Sequence, residues 1–283
     1  MNTARPFVLL FALLFSAIAG IHIAATSNVP VPLPHVSNLV AGDPLTEAIK
    51  SGVTIRLNSV GSVGTGILIG RTKTENGNWR YRVLTAYHVL EDLRDALTKK
   101  PEEAEKIKKM TIVYQDGFHA PLTMLNTSLI DFDWMVPGSD WGIFSMELAV
   151  KLPCAQLATK EEFESIQPYD HIYGLGSDNA DGLFLREGII ASTNGTQPFI
   201  GMFAYQYPWD INQDAFFRVY HGIFYGASGG PVFNRQGKVI GIYNGLVHTH
   251  MGHPVTNLAV VLKGHTVREL LEKAQSTITK VEN

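Results

Sequence analysis

From residue 53 onward, apolar and polar positions alternate in short runs, with Gly, Pro, Asn and Asp gathered between them. Such alternation marks strands with one face in a core, and the breaks carry turn chemistry. Val53-Thr54-Ile55-Arg56-Leu57 alternates cleanly, and residues 64–70 read as a glycine-bounded apolar strand. The Asn76-Gly77 step predicts a hairpin turn at 75–78. Residues 79–86 then form the returning strand, which runs out at His88. Further strands are predicted at 111–114, 120–125 and 141–147, then at 171–176, 182–192, 215–220, 238–247 and 255–262. A long connection at 152–167, with a short helical pattern at 160–165, divides them into two halves. Many short strands in two halves predict an all-β body of paired antiparallel barrels or sandwiches.

The period lengthens at three places. Asp43-Pro44 opens one or two helical turns over 45–50, with Asp43 as N-cap and Pro44 at the first position. Residues 91–110 are a charged helical insertion directly after His88, with Glu102/Lys106 and Glu105/Lys109 at favourable spacing. It reads as a solvated face. Residues 266–279 place Val267, Leu270, Leu271 and Ala274 on one face of a C-terminal helix.

The start of the chain follows a different logic. Arg5 precedes the apolar run 7–19, and Ala17 and Ala19 supply the small residues a signal peptidase reads. The competing reading extends the run through 7–25 as an uncleaved membrane anchor with the body outside. Both make the folded part exported, periplasmic or secreted. Pro30, Pro32 and Pro34 mark an extended linker. The expected organisation is therefore 1–25 for targeting, 26–50 for linker and short helix, and 51–283 for the body. Within the body the halves span about 51–150 and 165–265, followed by the helix 266–279.

At 283 residues, 45% hydrophobic and 17% charged, the chain can bury a substantial core. A net charge of −3 without a basic block argues against a nucleic-acid partner. The single cysteine, Cys154, excludes an internal disulfide and reads as a small core hydrophobe. Oligomeric state is not legible here.

Chemistry concentrates in Gly226-Ala227-Ser228-Gly229-Gly230-Pro231. Glycines around one serine let the backbone present it with main-chain N–H groups aimed at the same point, as peptide-bond chemistry requires. The ordinary alternative is a Gly-rich hairpin turn. A nucleophilic serine needs a base and an orienting acid. Of ten histidines, only His88 follows a buried-looking strand, in Leu84-Thr85-Ala86-Tyr87-His88-Val89. Asp140, leading into the apolar strand Trp141-Gly142-Ile143-Phe144, is the favoured acid; Asp133 is its rival and Asp131 a weaker third. The G-x-S-x-G elbow of α/β-hydrolases requires an acid after the serine. No Asp or Glu lies between Ser228 and His265, so that reading fails. His248, His250 and His253 suggest a metal site, but a solvated loop explains them as well and none is assigned. No cofactor is expected.

Thr85-Ala86-Tyr87-His88, Asp140-Trp141-Gly142-Ile143 and Gly226–Pro231, in that order, resemble the three signatures of trypsin-like serine peptidases. Residues 62–69 and 237–242 are similar to strands of the exported bacterial HtrA/Deg branch. The resemblance covers about residues 53 to 271. It implies two six-stranded β-barrels with a Ser228–His88–Asp140 triad between them and an oxyanion hole from Gly226 and Ser228. It also implies polypeptide substrates, paired along Asn244-Gly245-Leu246. A primary pocket would be walled by 220–225, including Tyr220, Gly222 and Tyr225, and by 242–245. Gly222 stands six before the nucleophile, so apolar or small side chains are expected there. Ala227 departs from the aspartate of digestive enzymes, which removes activation through a new amino terminus. With 21 residues after Leu262, the expectation is a peptidase domain without appended PDZ domains. A non-catalytic peptide-binding or scaffold protein is the alternative; keeping all three chemical groups and both glycines argues against it.

Overall fold

The computed structural model describes residues 42–59, 61, 63–116, 121–177, 183–193, 215–222, 225–248 and 254–281. The targeting segment, the prolines of the linker, His250 and His253 lie outside them.

Six strands close the first barrel: β1 Gly52–Leu57, β2 Val63–Lys73, β3 Trp79–Thr85, β4 Lys109–Gln115, β5 Leu122–Val136 and β6 Trp141–Leu148. They pair antiparallel in the order β1-β2-β3-β6-β5-β4, and β4 returns to β1. The second barrel takes β8 His171–Gly176, β9 Phe184–Ser192, β10 Phe216–Tyr220, β11 Pro231–Phe233, β12 Lys238–His248 and β13 Pro254–Lys263. Their order is β11-β8-β9-β10-β13-β12, closed by β11 against β12. A two-residue strand, β7 Gln156–Leu157, runs parallel to the start of β12 where β13 does not reach. This is the chymotrypsin-like arrangement of two six-stranded antiparallel barrels with a C-terminal helix.

Alternation explains the layering. Val53, Ile55, Leu57, Tyr81, Val83, Phe144 and Met146 fill the first barrel. Ile172, Ile190, Phe217, Val219, Ile240 and Val261 fill the second. The outward-facing Ile67, Leu84, Trp141 and Ile143 join Leu175, Phe233, Ile242 and Leu262 in a third cluster that bonds the barrels together. Burying a large aliphatic or aromatic side chain contributes about 1.5–3 kcal/mol. The barrels are therefore held together by a shared core.

Helices sit at the margins. Pro44–Ile49 is capped by Asp43, whose carboxylate accepts from the Leu45 amide at 2.8 Å. The charged insertion differs from the sequence expectation. Its helix starts at Tyr87, not 91, so His88 lies inside the first helical turn and not at a strand end. It runs to Lys99, and Pro101–Glu103 and Ala104–Ile107 complete the excursion before β4. The terminal helix spans Gly264–Val281 and packs Val267 into the shared core. Among the described residues no helix is long and apolar enough to cross a membrane.

Candidate active site

His88 is placed by the change from β3 to helix. Ala86, at the N-cap, offers no side-chain acceptor. Asp140, 52 residues away in sequence, supplies one: its Oδ1 accepts from the His88 backbone amide at 3.0 Å. The same carboxylate receives the ring, with Nδ1 2.9 Å from Oδ2 and 3.1 Å from Oδ1. A carboxylate at a helix N-terminus is also favoured by the helix dipole. Asp140 itself follows the short turn Pro137–Ser139 in a left-handed conformation, φ 48 and ψ 51. Aspartate tolerates that region better than most residues.

A second residue holds Asp140. Asn244 Nδ2 donates to the Asp140 carbonyl at 2.7 Å and to Oδ2 at 3.1 Å, while its Oδ1 accepts from the Leu262 amide at 3.0 Å. The sequence reading paired the strand at Asn244 with substrate; the Asn244 side chain bonds to Asp140, and its main chain stays available to a peptide. Nothing local signalled this, because the partner is 104 residues away.

Burial pulls His88 toward the neutral form, but the charge and hydrogen bonds of Asp140 outweigh it and raise the histidine above its ordinary value. The rival acids are elsewhere. Asp133 accepts from Ser145 Oγ at 2.7 Å and lies 3.7 Å from Arg82. Asp131 is exposed.

Ser228 is brought to the same end of the first barrel by its backbone. Thr65 N donates to Ser228 O at 2.8 Å, Thr65 Oγ1 donates to Gly226 O at 2.8 Å, and Thr65 O receives Thr85 Oγ1 at 2.7 Å. Gly229, at φ +80, lies so close that a Cβ there would overlap Thr85 Oγ1, Thr65 O and the Ala86 amide. Ala86 is two residues before His88. The Ser228 hydroxyl bonds to none of the described residues; catalytic hydrogen bonds often tighten only with substrate bound.

The turn also sorts its amides. Gly229 N donates to Tyr243 O at 2.7 Å and Gly230 N to Ala227 O at 2.8 Å. Among the described residues the amides of Gly226, at φ +98, and Ser228 find no acceptor, and both residues are only half-buried. Two accessible donors thus flank the serine.

Of the other expected substrate residues, Tyr220 and Tyr225 are exposed. The Gly222 carbonyl accepts from Arg186 Nη1 at 2.6 Å. Beyond Tyr243, the edge of β12 that faced β11 has no strand partner among the described residues, and Gly245 lies on it. No cluster of three or more metal-ligating side chains occurs among the described residues.

With this geometry in view, comparisons agree on the class. A family model described as "Trypsin-like peptidase domain" matches residues 64–242, so the chain belongs to the trypsin-like peptidase family. Among solved structures it is similar to the HtrA-type protease AlgW with tripeptide, at 16% identity and a TM-score of 0.55. That match covers 81% of this chain and 62% of AlgW, so the chain spans less than two thirds of AlgW's length. An inactive form of the Rv3671c protease gives 20% identity, TM-score 0.53, and coverage of 82% and 92%. A serine endoprotease from Yersinia pestis gives 15%, 0.54, and coverage of 83% and 66%. Identities this low establish the shared fold. No curated protein matches the sequence.

Proposed function

We propose that the chain is a serine endopeptidase working through His88, Asp140 and Ser228. Ser228 Oγ attacks the scissile carbonyl carbon, and its proton passes to His88 Nε2. The carbonyl oxygen becomes an oxyanion that accepts from the Gly226 and Ser228 amides. His88 then gives the proton to the leaving amine, the C–N bond breaks, and an ester to Ser228 remains. Water, deprotonated by His88, repeats the sequence to release the acid. Asp140 holds His88 in one tautomer and stabilises its cation. The carrying observation is the pair of amides beside Ser228 that find no acceptor among the described residues, on a turn joined to the strand end that precedes His88. One such donor contributes roughly 3 kcal/mol to the transition state. The open edge of β12 at Gly245 supports binding of an extended polypeptide as an added strand.

Labelling by a fluorophosphonate probe tests the reading. The protein should react and Ser228→Ala should not. A wild type that neither labels nor cleaves any polypeptide overturns it in favour of a peptide-binding scaffold. Export is part of the proposal and rests on Arg5 and the apolar run 7–19. Fractionation of cells expressing the full chain should find it outside the cytoplasm.

A further inference from the structure

The interior of the second barrel is apolar except near its nucleophile end. The inner faces of β8 and β9 carry three glycine-lined steps, two on β8 and one on β9. At Gly176 a Cβ would meet Ala227, the residue before the nucleophile, at 2.7 Å. Two residues further, at Gly174, the missing Cβ leaves room for Tyr243 Oη. Gly174 pairs with Arg186 of β9, so Arg186 faces the same way, and its Nη1 reaches the Gly222 carbonyl at 2.6 Å. Two residues further along β9, Gly188 makes room for the His221 ring, with Cδ2 at 2.8 Å from the position of a Cβ. Two strand residues span about 7 Å. Tyr243 and Arg186 therefore lie about one glutamate side chain below the serine turn, with His221 behind them.

The polar pair has one hydrogen too many for its own needs. Tyr243 Oη and His221 Nδ1 are 3.0 Å apart, and His221 is 4% exposed. Among the described residues His221 Nε2 makes no hydrogen bond of good geometry, although the Arg186 main chain bears on the ring and favours its protonated form. Burial keeps this histidine neutral, pushed down to about 4. A neutral imidazole and a phenol hold two protons between them, and their mutual bond uses one. If Tyr243 donates, Nε2–H is left over; if Nδ1–H donates, the Tyr243 hydroxyl proton is left over. In both tautomers a buried donor is left without a well-aligned oxygen among the described residues.

Resting on the serine-peptidase reading, we infer that Arg186, Tyr243 and His221 form the floor of the primary specificity pocket and select glutamate as the residue whose carbonyl is cleaved. The spare donor takes one carboxylate oxygen, and the guanidinium supplies the charge that distinguishes glutamate from glutamine. This replaces the apolar or small preference that Gly222 suggested.

The test profiles cleavage of peptides differing only at that residue, on enzyme whose active fraction is first counted with a fluorophosphonate. The expected result is a kcat/KM for glutamate at least 10-fold above glutamine and 100-fold above alanine, valine or leucine, as desolvated polar recognition gives. Arg186→Gln should bring glutamate down to the level of glutamine, and Tyr243→Phe should lower both against alanine. The second, conservative variant guards against the first failing to fold. Labelled enzyme that cleaves after alanine, valine or leucine as well as after glutamate overturns the inference and leaves the peptidase reading standing. Enzyme that never labels and cleaves nothing overturns both.

Discussion

Gly229→Ala is the sharpest test of how the nucleophile is positioned. The residue sits at φ +80, a conformation that costs an L-residue roughly 1–2 kcal/mol. The added Cβ would lie 2.7 Å from the Ala86 amide nitrogen, and closer still to Thr65 O and Thr85 Oγ1. Ordinary contact begins near 3.4 Å. Two of the three obstacles are backbone, one on β2 and one at the step from β3 into the helix, both fixed by a closed barrel, so the turn must be the part that yields. Retreat by the better part of an ångström strains the Thr65 bonds to Ser228 O and Gly226 O, each 2.8 Å. A misplacement of about 1 Å in a reacting group costs about 10²-fold in rate. The expected outcome is a fluorophosphonate labelling rate reduced about 100-fold, with a barrel that still unfolds cooperatively. Labelling at the wild-type rate would refute the claim that contact with the first barrel sets the position of Ser228.

Further outcomes follow from the same geometry. Asp140→Asn should lower kcat by about 10⁴-fold, whereas Asp133→Asn, bonded to Ser145 and Arg82, should change it only a few-fold. Asn244→Ala removes two bonds to Asp140, one of them charged, and should lower kcat by 10- to 100-fold, consistent with about 1.5–3 kcal/mol for a charged hydrogen bond. Because His88 must be neutral to accept a proton and Asp140 raises it, the acid limb of the kcat/KM profile should lie above about 6.5 and move down in Asp140→Asn. His221 binds a proton near pH 6.5 in the unfolded chain but only near 4 when folded, so stability should be full above about 6.5 and fall as the pH drops toward 4. Urea unfolding across that range checks it, and His221→Gln should flatten the slope.

The local levels were legible where one segment suffices. Alternation located most strands, because each has one face in a core and side chains of period two report it. The end of β5 was missed: register shifts between Leu129 and Asp131, and between Phe132 and Trp134, break the alternation there. β11, three residues long, is too short to show any period. The helix Pro44–Ile49 was readable since its cap and its proline are local. The helix at Tyr87 began earlier than its charges suggested, because its capping group, Asp140, is not local.

The residue types of the site were in the sequence: a serine among glycines, a histidine after an apolar strand, and an aspartate before another. Their chemistry needs those groups, and few positions offered them. The sequence favoured Asp140 over Asp133, although both precede tryptophan; the contact itself is tertiary, because pairing of β3 with β6 in the first barrel is what carries the Asp140 carboxylate to His88. The same holds for Asn244 behind Asp140, for Thr65 under the nucleophile turn, and for Arg186 brought beside Tyr243 and His221. Composition and period carry information along the chain. A catalytic or recognition geometry is a set of distances across it, and here those distances arise only when β3, β6, β9 and β12 close their sheets.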